Sequence, residues 1–312
     1  MPEFLHALSD AKDVFQLIAD EKSLRPAVVE KDYWIMHCLW GLQQAGLKFE
    51  MKGGTSLSKG WNVVDRFSED IDICFAAPPA LNIKGDKPAH IAARFAFYDA
   101  LAARIKMDGI TVERNRGYDD AKAQNGGISL RYESHFPAMP ELKKEVLLEV
   151  GFDKTAPNEP RDFTSWALDR ARETKGAVLD NRALGVRCFN PEYTFVDIQT
   201  ICRRFRQHRD RNDPKTDRPR NFLRHYYDLY MLLEVPRVKA FIGTDEYEAY
   251  KRQKLRTTDA AEFATRAAFR LQDAAAYALF ENEFSAMDAM ITPPRPGFAQ
   301  IMERLRARAP LL

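Results

Sequence analysis

The chain has 312 residues, 45% of them hydrophobic and 29% charged, and a formal net charge of +2. That is enough ordinary globular sequence for one large domain or two small ones, and the near-neutral balance excludes nucleic-acid binding through global basicity. No apolar run approaches the ~18 residues of a membrane span, and MPEFLHALSDAKDV lacks the basic and apolar regions of a signal peptide, so a cytoplasmic protein without membrane segments is expected. Cys38, Cys74, Cys188 and Cys202 form no CxxC pair and have no histidine at zinc spacing, which reads as reduced thiols.

In chain order, Glu3–Ala19 and Pro26–Ala45 read as helices, the second with proline in its first turn and apolar residues around most of its circumference. Within it, Lys31 and Asp32 read as a solvated pair of structural rather than catalytic weight. Leu47–Met51 reads as a short strand that runs into Gly53-Gly54. Thr55-Ser56-Leu57-Ser58-Lys59 then has the composition of a helix start. About a dozen residues later, Asp70-Ile71-Asp72-Ile73-Cys74-Phe75 alternates acidic and apolar residues with the period of a half-buried strand. Alternation places Asp70 and Asp72 on one face, their Cα atoms roughly 6–7 Å apart, with Ile71 and Ile73 turned into a core.

Beyond a Pro-, Gly- and Lys-containing loop, Pro88–Met107 reads as a helix, and Ile110–Arg114 and Ile128–Glu133 as strands. In the next strand, within Lys144–Phe152, Glu149 is the one acid inside an apolar run, a position that demands a cationic partner or a metal. Asp162–Thr174 reads as a helix and Leu184–Phe189 as a strand. Past Asn190-Pro191 the pattern becomes mostly helical, with helices read over Glu192–His208 and Thr258–Tyr277, so an α/β domain over 1–190 and a helical domain over 191–312 are expected. Arg203–Arg224 holds nine Lys/Arg against three Asp and suits either a solvated loop over Arg209–Arg220 or a phosphate-contacting arm.

Two carboxylates on one strand face repel by about 3 kcal/mol at about 5 Å and an effective dielectric of about 20, and a divalent cation between them reverses that sign. Oxygen-only ligands suit Mg²⁺ or Mn²⁺. A Gly-Gly turn ahead of a helix start lets backbone N–H groups approach a phosphate. A phosphate cradle followed by metal carboxylates is the layout of a nucleotidyl-transfer site.

The run GGTSLSK followed by DRFSEDIDI resembles the AbiEii/AbiGii toxin family, nucleotidyltransferases with the polymerase-β-like fold. The resemblance implies an α+β core of mixed sheet and flanking helices followed by a helical C-terminal half. It also implies metal ligation by Asp70, Asp72 and Glu149, and NTP binding by Gly53, Gly54, Thr55 and Ser56 helped by Lys59 or Arg66. The segment Glu30-Lys31-Asp32-Tyr33-Trp34 also resembles the family, as does Arg224-His225-Tyr226-Tyr227-Asp228-Leu229-Tyr230, whose aspartate makes Asp228 a candidate catalytic residue. Asp228 would activate a hydroxyl or orient a phosphate-binding base, or it would simply pair with Arg224 one helical turn away.

Family members commonly carry a lysine in a segment like TF-x-E-K. Here the matching stretch is Thr194-Phe195-Val196-Asp197-Ile198-Gln199, and no lysine occurs between Lys175 and Lys215. The implied activity is transfer of NMP from an NTP to RNA, tRNA in particular, by the toxin of a bacterial toxin–antitoxin or phage-defence pair with a winged-helix antitoxin. A small-molecule or protein acceptor, or a silent nucleotide- or RNA-binding relative, are the alternatives. Without coiled-coil heptads the chain reads as a monomer.

Overall fold

The computed structural model describes residues 2–78, 81–140, 142–175, 178–211, 220–255, 263–287 and 290–312. These form two compact units, Met1–Trp61 with Phe67–Phe189, and Asn62–Arg66 with Asn190–Leu312.

The first unit is built on seven strands: β1 (Glu50–Lys52), β2 (Asp70–Cys74), β3 (Thr111–Asn115), β4 (Asn125–Arg131), β5 (Val146–Gly151), β6 (Asn158–Phe163) and β7 (Ala183–Phe189). They make one sheet in the order β3-β4-β5-β2-β1-β7-β6. β1 runs parallel to β7 and β2 parallel to β5, and the remaining pairs are antiparallel. With helices α1 (Ala11–Lys22) and α2 (Pro26–Gln44), this is the α+β architecture that the family resemblance implies. α2 is buried on nearly every side, as its all-round apolar sequence requires, and packs against α1 and β7. Ile71, Ile73, Leu148 and Val150 meet it in one core.

Several elements differ from the sequence reading. The N-terminal helix begins at Ala11, because Glu3 pairs with Val178 in an isolated bridge and its carbonyl accepts from Leu179 N–H at 2.9 Å. The helix expected over Asp162–Thr174 is present but starts later, at Trp166, and runs to Lys175, because Asp162-Phe163 are the end of β6. Pro160 disguises that strand, but as the outermost strand of the sheet it tolerates a missing N–H donor.

In the second unit, the helix expected over Glu192–His208 breaks in two at Gln199-Thr200. There the Gln199 amide turns to the Tyr247 hydroxyl at 3.1 Å and the Thr200 hydroxyl donates to the Asp197 carbonyl at 2.6 Å. The resulting helices are Pro191–Ile198 and Ile201–Arg211, followed by Arg220–Leu232. Around Arg220–Leu232 pack helices Ala274–Ser285 and Phe298–Arg308, through rings such as Phe222, Tyr226, Phe280 and Phe298. Part of the Thr258–Tyr277 expectation lies outside the described residues, and within them Leu271, in the left-handed region at φ 43°, ends a short helix before Ala274.

All four cysteines are free and buried. Among the described residues no helix is long and apolar enough to cross a membrane.

One buried cluster in the first unit makes stability depend on pH. His37 Nε2 lies 2.9 Å from the Asp108 carbonyl and must donate to it, so Nδ1 accepts from the Asn181 amide at 2.8 Å. Both contacts are filled by the neutral ring, and burial lowers its pKa to about 4. The unfolded chain takes up that proton near pH 6.5 whereas the folded one refuses it, so the stabilisation is intact above pH 6.5 and is lost as pH falls towards 4. Urea unfolding should therefore give a free energy lower by about 2 kcal/mol at pH 5 than at pH 7, and His37→Gln should remove most of that difference.

Candidate active site

The acidic strand β2 lies between β1 and β5, and register decides what faces Asp72. Its Cα partners are Lys52 on β1 and Glu149 on β5, and Glu149 in turn stands opposite Gly127 on β4. Residues in one row across a sheet share a face at about 4.8 Å per strand. Lys52, Asp72 and Glu149 therefore project side by side, and Asp70, two residues from Asp72, shares their face. Glu149 is half-buried while its neighbours along β5 are buried.

β1 ends directly in the glycine turn. Gly53 has φ +76°, and a Cβ built on it would sit 2.1 Å from Asp72 Oδ2, so this position requires glycine for both conformation and space. The chain then turns helical over Gly53–Thr55 and continues as a π-type turn over Ser56–Gly60, an irregularity frequent at functional sites. Thr55 is buried, and its hydroxyl donates to the carbonyls of Ser68 and Asp70, stitching the turn to β2. Ser56 is buried beside it.

The charged side chains around this turn are paired. Lys59 bonds Asp32, with its ammonium 5.2 Å from the Trp166 ring centre. Lys52 bonds Asp153. Lys143 Nζ contacts both oxygens of Asp70, at 2.8 and 2.7 Å.

Lys31 and Asp32 are buried rather than solvated, and they do not pair with each other. Lys31 bonds Glu69 at 2.9 Å and the Lys143 carbonyl at 2.7 Å, while Asp32 also accepts from Trp166 N–H at 3.1 Å. Burial pulls the Lys31 pKa down against the attraction of Glu69, and pushes the Asp32 carboxyl up against the attraction of Lys59.

Arg66 and Asp228 lie in the second unit and hold each other. Arg66 Nε donates to Asp228 Oδ1 at 2.6 Å and Nη2 to Oδ2 at 2.8 Å, a bidentate pair with both side chains buried. Asp228 thus spends its carboxylate on Arg66, 162 residues away in sequence, rather than on Arg224 one turn back. Of the basic stretch Arg203–Arg224, Arg203–Arg211 lies on one helix and Arg220–Arg224 on the next, while 212–219 lie outside the described residues.

A family model for the nucleotidyl transferase AbiEii toxin of type IV toxin–antitoxin systems matches residues 34–304. The chain belongs to this family. No curated protein and no solved structure gives a significant match. The AbiEii match spans the glycine turn, β2, β5 and the Asp228 helix. Membership implies a nucleotide substrate and an antitoxin partner.

Among the described residues no three His, Cys, Asp or Glu side chains are gathered into a ready metal cluster, and Asp70 is instead turned onto Lys143. The donors nevertheless fit Mg²⁺ or Mn²⁺. They are carboxylates, two of them opposite each other in register, and an ammonium already compensates the third.

Sequence reasoning missed Lys143, Lys31, Asp32 and Glu69 as parts of this arrangement. Glu69 could have been suspected from its place beside Asp70, but nothing local marks Lys143.

Two substitutions test the geometry. Gly53→Ala should lower stability by roughly 1–3 kcal/mol in urea unfolding, through left-handed strain and displacement of Asp72. Asp228→Ala should destabilise by about 3–5 kcal/mol by stranding a buried guanidinium, and the double variant Arg66→Met/Asp228→Leu should recover most of that loss.

Proposed function

We propose that this AbiEii-family chain transfers NMP from an NTP to a hydroxyl of RNA, tRNA in particular. It would act as the toxin of a bacterial toxin–antitoxin or phage-defence pair, held in check by a winged-helix antitoxin. The observation that carries the reading is the row Asp72–Glu149, with Gly53 closed onto the Asp72 carboxylate. That combination places acidic oxygens directly beside a backbone turn free of Cβ atoms, the arrangement that a metal-chelated triphosphate requires.

Asp70, Asp72 and Glu149 would hold Mg²⁺ or Mn²⁺. When bound, the cation neutralises charge on the attacked α-phosphate and the departing pyrophosphate. The backbone N–H groups of Gly53, Gly54, Thr55 and Ser56 take the terminal phosphates. Thr55 contributes through its backbone, because its hydroxyl is committed to β2. Lys59, anchored by Asp32, places a fixed positive charge behind the turn. In the second unit Arg66 is the candidate phosphate-binding cation, and Asp228 would act through it by fixing the plane of the guanidinium. RNA is favoured as acceptor by the nine Lys/Arg against three Asp in Arg203–Arg224, a density suited to a phosphate backbone.

Incubation of the purified protein with each α-³²P-labelled NTP, Mg²⁺ and total RNA should label a discrete RNA band. Asp70→Ala/Asp72→Ala should lower that labelling by about 10³-fold or more. Label on a small molecule or a protein would overturn the RNA acceptor. No transfer with any NTP across a metal series would overturn the enzymatic reading in favour of a silent nucleotide-binding relative.

A further inference from the structure

Lys143 is held in a way that a surface ion pair does not need. Its backbone is gripped at both polar atoms: the N–H donates to Glu69 Oε2 at 2.8 Å, and the carbonyl accepts from Lys31 Nζ at 2.7 Å. Lys31 and Glu69 are themselves joined at 2.9 Å, and the Lys31 side chain is 0% exposed. From this clamped backbone the Lys143 side chain reaches both oxygens of Asp70, yet it keeps 29% of its surface in solvent. Glu69 and Asp70 are consecutive, so one acid fixes the lysine's main chain and the next receives its ammonium.

The pair is only half open, with the Asp70 side chain 10% and the Lys143 side chain 29% exposed, so it contributes somewhat more than the roughly 1 kcal/mol that a fully exposed pair does at most. Burying a whole lysine to aim such a pair is expensive, since the desolvation penalty of each buried ion is several kcal/mol. The arrangement makes sense if the position of the ammonium matters for something besides stability. Lys143 engages both Asp70 oxygens, so a cation that binds Asp70 competes with this ammonium. Because the backbone stays clamped, a released ammonium remains within a side chain's length of the same site.

We propose that Lys143 is the built-in counter-ion of the metal site. It holds Asp70 in the unloaded protein, yields it to a divalent cation that arrives with the nucleotide, and then contacts the triphosphate. This inference rests on the metal-dependent nucleotidyl-transfer reading above. Exchange of one ammonium for a divalent cation keeps Asp70 compensated throughout, and makes cation and nucleotide binding mutually supportive, because the displaced charge finds its new partner on the triphosphate.

The test uses the full chain and the variants Lys143→Gln and Lys143→Arg, with folding checked by circular dichroism. Free Mn²⁺ is titrated by electron paramagnetic resonance without nucleotide, and binding of each of the four NTPs is measured by equilibrium dialysis with Mn²⁺ present. Lys143→Gln should bind Mn²⁺ about tenfold more tightly than wild type, since the competitor is gone, and should bind its NTP about tenfold more weakly. Lys143→Arg should stay close to wild type in both measurements. A folded Lys143→Gln with unchanged or weaker Mn²⁺ affinity, beside a wild type that does bind Mn²⁺, would overturn the counter-ion role and leave the metal-dependent reading standing. Tighter Mn²⁺ binding with unaltered NTP binding would overturn the transfer to the triphosphate. Absence of Mn²⁺ binding in wild type and variant alike would overturn this inference together with the reading beneath it.

Discussion

Three consecutive buried charges on one helix hold the first unit's site together. At 100° per residue, Glu30, Lys31 and Asp32 of α2 point in three directions, and each meets a different part of the chain. Glu30 accepts from the Ser134 hydroxyl and from His135 N–H, Lys31 grips Glu69 and Lys143, and Asp32 takes Lys59 and the N–H that opens the Trp166 helix. Buried ionisable groups persist only when their partners are in place, so each pairing fixes a segment that has no other reason to stop where it does. The entry to β2, the approach to β5 and the turn after β1 are all referred to one rigid rod. Acidic side chains on adjacent strands repel, and without such fixed points their strands would have reason to splay.

Much of this frame was legible in the sequence because it is local. The glycine pair, the alternation of Asp70-Ile71-Asp72-Ile73 and the acid inside the apolar run at Glu149 are signals of a few residues each. They imply which side chains share a face without any tertiary knowledge. What they could not supply was the pairing of strands. That Asp72 faces Glu149 and Lys52 depends on β2 lying between β5 and β1, contacts that join residues far apart in the chain. The partners of α2 were hidden for the same reason. Lys31 and Asp32 are adjacent opposite charges, which reads as a solvated pair, and only burial of the helix on all sides turns each towards a distant partner. β6 escaped notice because Pro160 and alternating charges argue against a strand unless it lies at an edge.

The second unit shows how a short segment can belong elsewhere than its sequence position suggests. Asn62–Arg66 is flanked on both sides by residues of the first unit, yet it groups with the helical unit. The cause is specific bonding: Arg66 bridges to Ile291, Thr292 N–H donates to the Asp65 carbonyl at 2.8 Å, and Arg66 takes the Asp228 carboxylate. The chain therefore crosses between units three times, at Trp61/Asn62, Arg66/Phe67 and Phe189/Asn190. Arg66 thus stands four residues before Asp70 in the chain while its guanidinium is fixed by a helix more than 150 residues later. The aspartate of the RHYYDLY helix pairs in this chain with one buried arginine and fixes the plane of its guanidinium.

Charge compensation links these observations. A cluster of carboxylates that awaits a cation has to be neutralised before the cation arrives, or its repulsion works against the fold that presents it. Here each acid near the turn that has a defined ionic partner is served by a lysine on a different element: Lys143 for Asp70, Lys59 for Asp32, Lys31 for Glu69, Lys52 for Asp153. Lys31 is the most deeply buried of the four, and Lys143 is among the two most open to solvent. Releasing a buried lysine would strand an uncompensated ion, so Lys31 and Lys59 are suited to structure. Lys143 can leave Asp70 at a smaller penalty than Lys31 or Lys59 would meet on leaving their partners, because water already reaches its ammonium. The gradient of burial thus separates Lys31 and Lys59, whose ammonium groups are fixed inside the unit, from Lys52 and Lys143, whose ammonium groups stay within reach of water.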